Sequence, residues 1–161
     1  ILIGKKEHPE VIGSKGYASN VIILDNVEDV ENLKDYEKVF VIVQTTFSYD
    51  KYKLIESALA KRYKNIEFVN SICESTKSRQ EECKKIAEQV DFMIIIGGIK
   101  SSNTQKLYEV ARKINNNSIM IQDENDEKIN ECKKHNSIRI MSGASTPNYV
   151  VSNLVKKLEN L

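Results

Sequence analysis

The 161-residue chain has no tryptophan, only two prolines and three cysteines, and no two cysteines stand in a CxxC pair. An odd set of unpaired thiols excludes a disulfide framework and points to a reducing compartment, where each cysteine is a free thiol or a metal ligand. No Pro-rich or Gly-rich linker divides the chain. Charge of one sign is also lacking: 24 Lys and Arg face 23 Asp and Glu, a net charge of +1 with a pI near 7.8. Without a global basic field there is no electrostatic footprint for nucleic acid or membrane phosphates, so any anion site must be local. The longest apolar run, Phe92 to Ile96, falls far short of a membrane span, and no charged-then-apolar leader pattern opens the sequence. The expectation is a cytoplasmic protein with no nucleic-acid or membrane partner.

What is present is a globular composition, 40% hydrophobic and 29% charged, enough for one ordinary core or two small ones. Short β-branched runs at Val21–Leu24, Val39–Val43, Ile66–Val69, Phe92–Ile96, Ile119–Ile121 and Ile138–Met141 alternate with helical patterns. The helices carry apolar residues at i, i+3, i+4 and i+7, as in Leu107, Val110, Ala111, Ile114 and in Val151, Leu154, Val155, Leu158. This rhythm predicts βα units in an α/β fold, with parallel-rich sheets of three or four strands flanked by helices. Two such groups fit better than one sheet, with the join near Asn70 to Ser75. Ile1-Leu2-Ile3-Gly4 reads as the interior of a buried strand with nothing before it, so a truncated chain is expected. An apolar edge at Ile1 to Ile3, left unpaired, would favour self-association.

Three strand ends share one pattern, from strand through small hydroxyl residues into helix: Val41 to Thr46, Ile94 to Asn103 and Ile138 to Pro147. In parallel α/β sheets, ligands sit beyond these carboxyl ends. A helix N-terminus offers unpaired N–H groups and about half a positive charge, so added Ser, Thr and Asn donors suit a phosphate or carboxylate. Capping alone accounts for any single loop, since Ser101, Ser102, Asn103 and Ser145 are ordinary N-cap residues and Pro147 suits a first helical position. Recurrence at three strand ends is what makes an anion site worth weighing. His8 and Glu10 also follow a strand and can supply a polar anchor and a proton, or can belong to a polar surface loop. Lys84-Lys85 and Lys156-Lys157 read as solvated helix faces, and His135 as a surface residue.

The cysteines separate by position. Cys83 shares a stripe with Ile86, Ala87 and Val90, and Cys132 follows Ile129 by three residues, so both read as small core fillers. Cys73 lies between the strand Ile66–Val69 and a helix expected to begin around Ser75 to Ser78, where the helix field favours thiolate. Metal ligand, reactive thiol and inert junction residue all stay open for it.

His8-Pro9-Glu10-Val11, Gln44-Thr45-Thr46, Ile72-Cys73 followed by Arg79-Gln80-Glu81, Lys100-Ser101-Ser102-Asn103, and Ser142-Gly143-Ala144-Ser145-Thr146-Pro147 follow one another along essentially the whole chain. In that order they resemble the signature segments of the 4-hydroxy-3-methylbut-2-enyl diphosphate reductases, iron–sulfur enzymes of the methylerythritol phosphate isoprenoid pathway. The resemblance implies three similar α/β lobes around a 4Fe-4S cluster held by three cysteines, with one iron left open. This chain would correspond to the last two lobes, 1–72 as a middle lobe truncated at its start and 73–161 as the C-terminal one.

By the same resemblance Cys73 is the last cluster ligand, and Glu10 delivers a proton to the substrate's hydroxyl end. His8 and Thr45 line the substrate pocket, and Ser101, Ser102, Asn103 and Ser145 hold the diphosphate. The implied reaction removes an allylic hydroxyl with two electrons and two protons, giving isopentenyl and dimethylallyl diphosphates, with a ferredoxin- or flavodoxin-type donor. The family's N-terminal lobe, with one cluster cysteine and a diphosphate-binding histidine, and the segment with its middle cysteine and another histidine have no counterpart here. The chain as given is therefore expected to be inactive and to retain no cluster. Two other readings share the alternating pattern: a non-catalytic module that binds a phosphorylated small molecule through these loops, and a response-regulator-like or sugar-isomerase-like domain for protein partners. The second needs no meeting of the Ser101–Asn103 and Ser145 loops.

Overall fold

Two apolar runs organise the chain in the computed structural model, which describes residues 1–160; Leu161, the last residue of the expected second lobe, lies outside the described residues. Val39–Val43 (β3) and Phe92–Ile96 (β5) are each interior strands of a parallel sheet. Leu2–Ile3 (β1), Ile23–Leu24 (β2) and Ile66–Val69 (β4) join β3 in the order β2-β1-β3-β4. Ser118–Ile121 (β6) and Ile138–Ser142 (β7) flank β5 in the order β6-β5-β7. The helices are Pro9–Lys15 (α1), Tyr49–Arg62 (α2), Glu74–Glu88 (α3), Ser102–Ile114 (α4) and Asn148–Glu159 (α5), with short 3-10 segments at Val27–Asn32 and Glu127–Lys134. The fold is thus α/β with parallel sheets of four and three strands, as the periodicity predicts. The chain forms two compact units, Ile1–Lys77 and a second from Ser78 onward. No helix among the described residues is long and apolar enough to cross a membrane.

In the first unit, Ile3, Leu24, Val41, Val43, Phe47, Ile55 and Leu59 form one core. The expected free edge at Ile1 to Ile3 is corrected. β1 is an interior strand, with Leu2 paired to Ile23 on one side and to Ile42 on the other. The parallel crossover through α1 returns β2 to the far side of β1, and Leu2 and Ile3 are buried. The strand expected at Val21–Leu24 shortens to Ile23–Leu24, although the Ile22 carbonyl still accepts from Leu2 N.

The second unit packs both faces of its sheet. Met93 and Ile95 face Leu107, Ala111 and Cys83, while Phe92, Ile94 and Ile96 face Ile121, Ile129 and Leu154. This is why β5 reads as an unbroken apolar run. β3 is equally apolar but buried only at alternate positions, and Phe40 is 50% exposed. The expected helix stripes hold except at Ile114, which ends its stripe, and Val155, within the other, which both reach solvent. Cys83 and Cys132 are core fillers as expected, their thiols donating to the Leu107 and Ile129 carbonyls at 3.3 and 2.7 Å. His135 is not a surface residue. It is partly buried, and its ring lies 4.8 Å from that of Phe92, the apolar partner that draws it in.

Candidate functional site

In the first unit the loops after β1 and β3 are stitched together by Gln44. Its buried side chain accepts from Lys5 N at 3.0 Å and donates to Thr46 Oγ1 at 2.9 Å. Gly4 makes room for this: a Cβ there would lie 2.6 Å from Val11 Cγ2 and 3.0 Å from Gln44 Cβ. His8 caps α1, its Nδ1 accepting from Glu10 N at 3.3 Å. Pro9 then starts the helix and puts Glu10 in its first turn.

From there Glu10 reaches across to the β3 end. Oε1 accepts from Thr45 N at 2.8 Å and Oε2 from Thr45 Oγ1 at 2.9 Å. Thr45 in turn gives its carbonyl to Cys73 N at 3.1 Å. His8, Glu10, Thr45 and Cys73, distant in sequence, are therefore joined by one run of hydrogen bonds. His8 and Glu10 are partly buried, Thr45 and Cys73 exposed.

Cys73 stands directly before α3, which begins at Glu74 and not at Ser75 to Ser78, and its carbonyl accepts from Thr76 N and Lys77 N. The Ser75 hydroxyl lies 3.0 Å from its sulfur. That hydroxyl, then the Ser75 and Thr76 backbone N–H groups, lowers the thiol pKa below its ordinary value. The other two thiols go the other way, each chiefly through burial: Cys83 is pushed up to about 11 and Cys132 is raised.

In the second unit Ser101 caps α4, its hydroxyl accepting from Thr104 N at 3.3 Å. Of the four residues expected as caps, it alone has that role. Ser102 and Asn103 lie inside the first turn, Ser145 precedes α5 by three residues, and Pro147 occupies the cap position rather than the first helical one. The backbone explains the shift at the third loop, where Thr146 N bonds back to the Gly143 carbonyl and delays the helix. The amide Nδ2 of Asn103 is buried without a protein partner. The Ser145 residue is exposed.

The β5 and β7 loops close on each other at Thr104. A Cβ on Gly97 would lie 2.7 Å from the Oγ1 atoms of both Thr104 and Thr146, and one on Gly143 would lie 2.2 Å from Thr104 Oγ1. Gly143 N and Thr146 Oγ1 both donate to the Ile96 carbonyl, at 2.8 and 3.2 Å. The two loops that a protein-partner domain has no need to unite are thus tied together. Beyond the strand ends lies a cavity of about 510 Å³, lined among others by Gly97, Gly98, Ser145 and Thr146 and by the acidic Asp123 and Glu124.

Sequence reasoning missed Gln44, Thr104 and Thr146 as organisers, although the first and third stand inside the motifs it singled out. Close glycine approach was the available signal at Gly97 and Gly143. Among the described residues, no group of three His, Cys, Asp or Glu can hold a metal ion. An iron–sulfur cluster takes several cysteine thiolates. Cys73 offers one, and the other two thiols are turned into the cores, so the residues of this chain do not by themselves fit a cluster.

The model of the LytB protein family matches residues 1–159. The whole chain aligns, at 42% identity, with 58% of the length of the 4-hydroxy-3-methylbut-2-enyl diphosphate reductase of Clostridioides difficile. It aligns at 36% identity with 56% of that of Caldanaerobacter subterraneus subsp. tengcongensis. Among solved structures, the E-1-hydroxy-2-methyl-but-2-enyl-4-diphosphate reductase of Plasmodium falciparum matches 96% of the chain with a TM-score of 0.87 at 33% identity, over 50% of its own length. The chain thus spans little more than half of the length of these two curated relatives. Motifs, fold and relatives agree, and the chain belongs to the LytB family.

Proposed function

We propose that this chain is part of a reductase that converts 4-hydroxy-3-methylbut-2-enyl diphosphate to isopentenyl and dimethylallyl diphosphates by iron–sulfur-dependent reductive dehydroxylation. Residues 1–72 stand as the remainder of its middle lobe and 73–161 as its C-terminal lobe. The observation that carries the reading is the hydrogen-bonded run from His8 through Glu10 and Thr45 to the backbone of Cys73, which brings a carboxylate, a hydroxyl and a cysteine with a lowered thiol pKa into one network. Each group has a task its chemistry suits. Glu10, held on Thr45 by both oxygens, is aimed to deliver a proton to the substrate's hydroxyl end, and the Thr45 hydroxyl orients it. His8 and Thr45 line the pocket, and Cys73 supplies one thiolate for a cluster whose other ligands lie outside this sequence. Ser101, Ser102, Asn103 and Ser145 hold the diphosphate with hydroxyl and amide donors and the amino end of α4. Electrons come from a ferredoxin- or flavodoxin-type donor. The chain on its own supplies too few thiols for a cluster and does not turn over.

The test is a graft in which the chain replaces the matching segment of the Clostridioides difficile relative. After anaerobic iron and sulfide loading, the graft reduces 4-hydroxy-3-methylbut-2-enyl diphosphate, and the chain alone, treated identically, does not. A well-folded, cluster-loaded graft without turnover would remove the proposal, as would turnover by the chain alone.

A further inference from the structure

The Ser142–Thr146 loop is held from two directions, and only one of them belongs to its own sheet. Gly143 N donates to the Ile96 carbonyl, so Gly143 turns its backbone groups towards β5. Backbone groups of successive strand residues point to opposite sides, so the Ser142 carbonyl points off the outer edge of β7. β7 ends the sheet there, and no strand follows to pair that carbonyl. The donor it finds is the guanidinium of Arg79, in the second turn of α3 and 63 residues away in sequence, but within the same unit.

Arg79 is itself unusual. It is partly buried, its Nε is buried without a partner, and among the described residues no carboxylate pairs with it. An uncompensated cation withdrawn from water is costly, and an anion arriving nearby relieves that cost. The sequence has no basic field to draw an anion, and the loop residues Ser142 to Thr146 carry no charge of their own.

We propose that Arg79 is a positioning residue for the Ser142–Thr146 loop and supplies the local positive charge of the anion site that includes Ser145. The inference rests on the reading of Ser145 as a diphosphate ligand. Its geometric half stands without that reading, because the guanidinium fixes the carbonyl at which the loop leaves β7. Its planar fork engages the carbonyl and leaves further N–H groups directed elsewhere, which an ammonium cannot reproduce.

The experiment compares the chain with its Arg79→Met and Arg79→Lys variants. In the ligand-free protein, NMR relaxation should show the amides of Gly143, Ala144 and Ser145 more mobile in Arg79→Met and partly restored in Arg79→Lys. In a pyrophosphate titration, Arg79→Met should weaken binding about tenfold or more, since it removes both the site's nearby positive charge and the anchor of the loop that carries Ser145. It should also flatten the dependence of binding on salt, which Arg79→Lys should keep. A lower melting temperature for Arg79→Met with unchanged loop relaxation and a pyrophosphate Kd within twofold of the parent would overturn the proposal, leaving Arg79 a mere helix anchor. If the parent chain binds no pyrophosphate, the diphosphate reading of Ser145 falls and the charge role falls with it. The relaxation comparison still decides whether Arg79 positions the loop.

Discussion

In the grafted reductase, Glu10→Gln lowers kcat by about 10²- to 10⁴-fold, the range lost when a positioned general acid is removed. Glutamine keeps the shape and one acceptor oxygen, so the bond from Thr45 N survives. What it cannot do is carry an acidic proton, and its second terminal atom is a donor facing the Thr45 hydroxyl. KM should change far less than kcat, because His8 and Thr45, the proposed pocket wall, are unchanged. Thr45→Val separates the two roles. It removes the hydroxyl that orients the carboxylate and keeps the carboxylate itself, so its kcat should fall between those of the parent and Glu10→Gln. Steady-state rates of the loaded graft and its two variants, with circular dichroism to verify folding, check the order. Equal kcat values for the parent and Glu10→Gln would mean that the proton comes from elsewhere.

Cys73 in the native chain alkylates with iodoacetamide at least about a hundredfold faster than Cys83 at pH 7.5, since each unit of pKa separating two thiols is tenfold in thiolate fraction at a pH below both. The Cys83 thiol is pushed up to about 11 by burial and the residue is fully enclosed, whereas the exposed Cys73 lies below its ordinary value. The direction with pH follows. The Cys73 rate climbs as pH rises towards its lowered pKa and levels above it, so its midpoint falls below that of an unstructured cysteine peptide. Ser75→Ala removes the largest cause of the lowering and moves the midpoint up. Mass spectrometry of quenched time points reads both. Comparable labelling of Cys73 and Cys83 would contradict the contrast between an exposed helix-start thiol and a core filler.

Much of this was legible in the chain. The α/β class follows from apolar runs such as Phe92–Ile96 alternating with helix stripes, because both signals are local. Strand order is not local, and so β1 read as an edge although it lies between β2 and β3. Cys73 was separable from Cys83 and Cys132 because stripe membership is a matter of spacing. The capping roles were over-assigned at Ser102, Asn103 and Ser145, since one hydroxyl caps each helix at most and composition does not say which. Gln44 and Arg79 were hidden for a different reason: their partners Lys5 and Ser142 lie 39 and 63 residues away. His135 went astray because three polar neighbours in sequence outweighed one aromatic neighbour in space.

The most direct test of the central claim is titration of the chain with pyrophosphate, followed by NMR at the amides of Ser101 to Asn103 and Gly143 to Thr146, for the parent and for Ser101→Ala and Ser145→Ala. Each lost hydroxyl should weaken binding by about tenfold or more, the net worth of one hydrogen bond to a charged group. Saturable shifts at both loops, weakened in both variants, are the expected result and would place the diphosphate half-site within this chain. The absence of saturable shifts at either loop would contradict it.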